Sequence, residues 1–234
     1  MNADIQKQLP LSSSFWQQID FFKGVPRDIL KDLLSGSEII STNAKKIIFH
    51  EGESAEHFGF VIEGFFKLFR SHPPGRNIIM DFSTSGGMIA SLLMASEDSV
   101  YPVTVQSIGP GRFLKIPKAT FNEYWVKSSE IMKKVQNENM QRVGSLLTMR
   151  EAQRLPLAQR VAWVLIRLLG KHPENNKYLK VYFTRADIAD AIGASPESVI
   201  RVFSQWLKDG LIEVKSNEEF INLSALNEKF LFSR

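Results

Sequence analysis

The chain of 234 residues contains no cysteine. That excludes disulfide bridges, thiolate zinc sites and cysteine-ligated iron–sulfur clusters. Histidine is scarce too, with four in all: His50, His57, His72 and His172. Each falls in a turn or loop segment, and no HxH or HExxH spacing joins them. The bland reading, exposed loop histidine, therefore outweighs a metal site. No apolar run approaches the 18 residues of a membrane span, and the N-terminus lacks a basic-then-apolar leader. A cytoplasmic protein with no membrane partner is the expectation. Also missing are a Ser/His/Asp constellation, a phosphate-cradling glycine loop and paired carboxylates in a plausible cleft, so catalysis is not expected.

What is present is a mild basic excess, a net charge of +4. From Arg154 onward there are 12 Lys/Arg against 9 Asp/Glu, so most of the excess lies in the last third. This is compatible with nucleic acid without demanding it.

That last third holds the most informative stretch, TRADIADAIGASPESVIRVFSQWLK from Thr184 to Lys208. It reads as two short helices around a tight turn. Ile188, Ala189 and Ile192 form an apolar stripe on the first, and Gly193 supplies a turn that calls for φ > 0. Ser195 is a good N-cap, and Pro196 suits a first helical position. Val199, Val202, Phe203 and Trp206 come next at i, i+3, i+4 and i+7 and should face inward. Glu197, Ser198, Arg201, Gln205 and Lys208 are left on the outer face. A helix-turn-helix presents such a face to the DNA major groove. Beyond it, LIEVKSNEEFINL gives two short strands around a polar turn, the form of a wing.

Upstream, Phe15, Trp16, Phe21 and Phe22 are expected to pack onto the segments C-terminal to them, and Pro26 opens a short helix ended by Gly36. From Glu38 to about Ile116 short β-type runs alternate with turn signals at HEGES, HPPGR, SGG and GPG. That spacing predicts an antiparallel sandwich or barrel rather than an α/β fold. After Pro117 the pattern is helical to about Gly170, broken at Pro156. Met132, Val135, Asn139, Val143, Leu146 and Met149 recur there at alternating steps of three and four, a seam for pairing with a second helix, with Asn139 as its polar register-fixing position. The same stripe would serve equally to pack on the chain's own β domain.

In this order the parts resemble the Crp/Fnr family of bacterial transcription regulators. The likeness runs from about Phe21 to Leu226. It rests on IIFHEGESAEHFGFVIEGFFKL with Gly52 and Gly64 at the family's turn positions, on RLPLAQRVAWVLIRL, and on TRADIADAIGASPESVIRVFSQWLKDGLI. The resemblance implies an α+β chain. An antiparallel β-roll sensor of the cyclic-nucleotide-binding, jelly-roll type with N-terminal helices would occupy 1–126, a dimerisation helix 127–155 and a winged helix-turn-helix DNA-binding domain 156–234. It implies a homodimer reading an inverted repeat in double-stranded DNA, with RNA polymerase as a further candidate partner.

In the family a Glu and an Arg four residues later read a G·C pair, and Glu197 and Arg201 match them. The chemistry agrees, since carboxylate accepts from cytosine N4 and guanidinium forks onto guanine O6 and N7. Pro196 and Ile200 depart from the family, where some members carry Arg and Ser. Thr184 and Arg185 are candidate phosphate contacts, with Gln205 and Lys208 weaker ones, and Ser195 and Ser198 are counted among the DNA-binding residues.

Cyclic-nucleotide-binding members hold the phosphate with a Gly-Glu pair and an Arg-Ser/Thr pair. Here Ala90-Ser91 and Tyr101-Pro102 stand in those places, with no basic residue nearby before Arg112. A buried phosphate without counter-charge is costly, so tight cyclic AMP binding is not expected. Some members bind haem, which stays open; no cofactor is predicted. An effector pocket would be lined by Met88, Ile89, Ser91, Leu92, Tyr101, Val103 and Gly144 or Ser145. It suits an uncharged or lipophilic effector, or is filled by its own side chains. The competing readings are a cupin-like metal enzyme with an appended DNA domain and a protein-interaction module.

Overall fold

The computed structural model describes residues 13–17, 19–72, 76–169 and 178–230. Its chain forms two compact units, 1–68 with 83–143 and 69–82 with 144–234.

The first unit opens with α1 (Ser13–Trp16), a 3₁₀ turn at Asp20–Phe22 and α2 (Arg27–Leu33). The strands are β1 (Glu38–Thr42), β2 (Ile47–Phe49), β3 (His57–Glu63), β4 (Phe65–His72), β5 (Arg76–Thr84), β6 (Met88–Ile89), β7 (Thr104–Ser107) and β8 (Gly111–Pro117). They make two four-stranded sheets in the orders β1-β8-β3-β6 and β2-β7-β4-β5, the antiparallel β-roll expected. The β3–β8 register puts Phe58 opposite Ile116 and Phe60 opposite Leu114, and all four are buried. Tight crossing at the sheet end demands glycine. Gly64 has φ +89, and a Cβ there would lie 2.6 Å from the Pro110 carbonyl oxygen.

The core of this unit is aromatic. Phe21, Phe22, Phe58, Phe60 and Phe121 surround Trp125, which is fully buried and donates its indole N–H to the Leu33 carbonyl at 2.9 Å. Burying such rings is the dominant favourable term, and the buried N–H keeps a partner. The N-terminal aromatics thus pack as expected, with Trp16, Phe21 and Phe22 buried.

Helical structure after Pro117 is less uniform than its pattern. A short α3 (Lys118–Thr120) runs into a π-type turn, Phe121–Trp125, and the long α4 (Ser129–Ala152) begins only at Ser129. The first half of α4 packs on its own β-roll. Val135 is 3% exposed in that core together with Ile131, and Met132 packs against it. Asn139 accepts a hydrogen bond from Ser91 Oγ at 3.1 Å. Val135, buried in the β-roll core, is therefore not free for a second helix, a correction to the expected seam at that position, while Met132 and Asn139 stay half-exposed. The reason is that the β-roll also offers an apolar face, and three-four spacing cannot say which partner takes the stripe. Further along, Met140 (68%), Val143 (45%), Leu146 and Leu147 (59%) are exposed, so the open apolar line centres on 140, 143 and 147. The Met149 side chain lies outside the described ones.

In the second unit α5 (Leu157–Leu169) buries Val161, Val164, Leu165 and Leu168. It precedes β9 (Tyr178–Lys180), α6 (Arg185–Ile192), α7 (Pro196–Lys208), β10 (Ile212–Lys215), β11 (Glu218–Asn222) and α8 (Leu223–Phe230). The strands form a sheet in the order β10-β11-β9. The outer part of the β4–β5 hairpin, 69–82, groups with this unit. There Phe82 meets the Phe183 ring edge-on at 5.5 Å, and Arg167 Nη2 bonds Asp81 Oδ1 at 3.2 Å. Nothing in the strand pattern of RNIIMDFS forecast that association.

Candidate nucleic-acid interface

The two helices of the turn motif are set by their caps. Thr184 Oγ1 accepts from the Asp187 N–H at 3.1 Å, and Asp187 Oδ2 accepts from the Thr184 N–H at 3.1 Å, a reciprocal capping box. Gly193 closes α6 at φ 64, as the turn requires. Ser195 Oγ then accepts from the Ser198 N–H at 3.3 Å, and Pro196 opens α7. Val199, Phe203 and Trp206 of α7 are buried, as are Ile188, Ala189 and Ile192 of α6.

The opposite face of α7 is open. Glu197, Ile200, Arg201, Ser204, Gln205 and Lys208 are all exposed. Arg201 Nη2 donates to Ser198 Oγ at 3.1 Å, and Ser195 Oγ donates to Ser198 Oγ at 3.1 Å. This small hydroxyl chain orients the guanidinium from below. Helix phase alone puts Ser198 on the outer face; its role as a prop for Arg201 shows only in the structure, although the i, i+3 spacing permits it.

Other expected contacts have internal partners. Arg185 Nη2 donates to both carboxylate oxygens of Glu219 in β11, and its guanidinium lies 3.5 Å from the Phe203 ring centroid. It ties the first helix to the wing and the recognition helix, a cation–π and charge-assisted arrangement rather than a free phosphate ligand. The Thr184 hydroxyl is committed to its capping box, and Gln205 Nε2 donates to Asp209 Oδ1 at 2.8 Å. The wing is a two-residue hairpin: Lys215 pairs with Glu218 across Ser216 and Asn217, which have φ 49 and 64.

Most of the expected effector segment is buried. Met88, Ile89, Ser91 and Tyr101 are buried and Val103 is half-buried. Leu92, at 62% exposure, points to solvent and does not line an interior, because the 3₁₀ turn Ser91–Ala95 rotates it outward. The Ser145 side chain lies outside the described ones. The Tyr101 ring stacks on Phe49 at 4.4 Å, while its hydroxyl donates to the His57 carbonyl (2.8 Å) and accepts from the His57 N–H (3.0 Å). Burial pushes the Tyr101 hydroxyl up to about 12. A basic residue does reach this segment, contrary to the reading of the local sequence. Arg142, from α4, donates to the Met88 carbonyl at 2.9 Å. Fold-level proximity across the chain hid it from a linear scan.

Ala90 sits at φ 67, ψ 7, the left-handed region that glycine takes without strain. Ala90→Gly should therefore raise stability by about 0.5–1 kcal/mol, relief of strain less the entropy of glycine, read from the urea midpoint. An unchanged or lowered midpoint would refute the strain.

A β-roll carried ahead of a winged helix-turn-helix whose second helix exposes a polar, Arg-bearing face defines a DNA-binding regulator class. Residues 39–128 match the cyclic nucleotide-binding domain, and residues 159–229 match the Crp-like helix-turn-helix domain. The chain is 28% identical over 182 residues to the transcriptional activatory protein AadR of Rhodopseudomonas palustris, covering 73% of this chain and 71% of that protein. It is 23% identical over 173 residues to the nitrogen fixation regulation protein FixK of Bradyrhizobium diazoefficiens, covering 71% and 70%. The solved structure of FixK2 from Bradyrhizobium japonicum has the same fold, with TM-score 0.72 at 17% identity over 85% of this chain and 99% of that one. The protein belongs to the Crp/Fnr family of transcription regulators. The two curated relatives are regulators, not enzymes, which removes the cupin-type alternative. Among the described residues, no helix is long and apolar enough to cross a membrane.

Proposed function

We propose that this regulator binds an inverted-repeat DNA site as a homodimer, joined along α4 and reading each half-site with α7. The observation that carries the reading is Arg201, exposed beside Glu197 on a capped, internally packed helix and oriented through Ser198. Arg201 would fork onto guanine and Glu197 accept from its cytosine partner, with Ser195, Ser198 and Lys208 near the backbone. The exposed Met140, Val143 and Leu147 supply the surface for a second α4.

The family fold raises cyclic AMP as an effector, but the residues present do not fit its phosphate. Ala90 and Ser91 replace the Gly-Glu pair, and Tyr101 has its ring on Phe49 and its hydroxyl on the His57 backbone. Arg142 meets the Met88 carbonyl there. The reading is a regulator that binds DNA without cyclic AMP and without a resident cofactor. Its test is selection from random duplexes by the purified protein, with and without added cyclic AMP. Enrichment of the same inverted repeat in both arms is the expected outcome. A repeat that appears only with cyclic AMP would overturn the effector reading, and enrichment of nothing would overturn the regulator's DNA reading.

A further inference from the structure

Ile200 is out of keeping with the face it occupies. It is 48% exposed, between Glu197 one turn before it and Arg201 beside it, amid polar Ser204, Gln205 and Lys208. The helix is anchored by Val199, Phe203 and Trp206, which are buried, so the Ile200 side chain is not needed to hold α7 in place. A β-branched residue also brings no helix propensity to an exposed position. Left in water it forfeits the stabilisation that burial of its methyl groups would bring. Leu207 is exposed as well, but near the C-terminal end of α7, whereas the N-terminal turns of a recognition helix approach base edges.

The floor of the major groove offers an apolar group at thymine alone among the four bases: its C5-methyl. Serine at this place could exchange hydrogen bonds with several base edges; isoleucine can only make apolar contact. We propose that Ile200 reads a thymine by its methyl group, within about two base-pair steps of the G·C pair taken by Glu197 and Arg201. The distance comes from the roughly 5–6 Å between neighbours on a helix face and the 3.4 Å rise of a base pair. This inference rests on α7 being the recognition helix and adds a letter to its half-site.

Uracil lacks only the methyl and keeps every hydrogen-bonding group of thymine. The experiment is a scan of the selected site in which each thymine is replaced in turn by uracil, with affinity measured for the wild-type protein and for Ile200→Ser. One thymine per half-site should show a loss of about threefold to fivefold with the wild type, the size of one buried methyl contact. That loss should vanish with Ile200→Ser, whose fold is checked by its thermal transition. A flat scan, or a uracil effect that persists unchanged in Ile200→Ser, overturns the methyl contact while the parent site still binds and the DNA reading stands. Failure of the wild type to retain any duplex overturns both.

Discussion

Arg201→Ala should weaken binding to the selected site by about 1–3 kcal/mol per half-site, about fivefold to 150-fold, while binding to random duplex changes little. The size reflects the geometry of the contact. A guanidinium satisfies guanine O6 and N7 with two parallel donors, and no neighbouring side chain can reproduce that fork. Folding should be spared: Arg201 is exposed, and its described hydrogen bond goes to Ser198 at the helix surface. Titrations against the selected and a scrambled duplex, at one fixed salt concentration, decide the matter. Equal losses on both would mean that Arg201 touches phosphate and carries no sequence information.

Leu147→Asp should halve the molecular mass in solution and reduce affinity for an inverted repeat to that of a single half-site. Leu147 is 59% exposed in the single chain, so a carboxylate there costs the monomer almost nothing. Pressed against a second α4, two such carboxylates would be desolvated without partners, several kcal/mol against association. Light scattering gives the mass and circular dichroism confirms that the helices persist. The same substitution discriminates between the two apolar lines of α4. Val135→Asp would instead disrupt the β-roll core, since Val135 is buried there. A dimer that survives Leu147→Asp would place the interface elsewhere.

These two results bear on different kinds of legibility. Glu197 and Arg201 could be placed on the outward face of α7 from sequence because the local signals around them agree: Gly193, Ser195, Pro196 and the inward stripe each point to the same turn and helix phase. Helix phase then dictates which residues face out, with no need of distant contacts. The β-roll was legible for a similar reason, since short runs between turn residues admit few arrangements. Stripe partners were not. Met132, Val135 and Asn139 carry the same spacing whether they meet a second chain or their own β domain, and only the packed structure shows Val135 buried in the latter, with Met132 packed against that core and Asn139 bonded to Ser91.

Charge pairing escaped the linear reading for the same physical reason. Arg185 looks like a phosphate ligand at a helix start until β11 brings Glu219 beside it and α7 brings Phe203 beneath it. Arg142 lies 54 residues from Met88 and becomes its partner only through the fold. Asp81 and Phe82, read as ordinary strand residues, join the unit of α5 through Arg167 and Phe183. The amino-acid sequence by itself determined the elements, the caps, the outward face of α7 and the family, because these depend on periodicity and on interactions within a few residues. Tertiary structure alone decided which apolar line of α4 stays open, which cations are already spent and how Ala90 is strained, because those depend on what distant segments bring within a few ångströms.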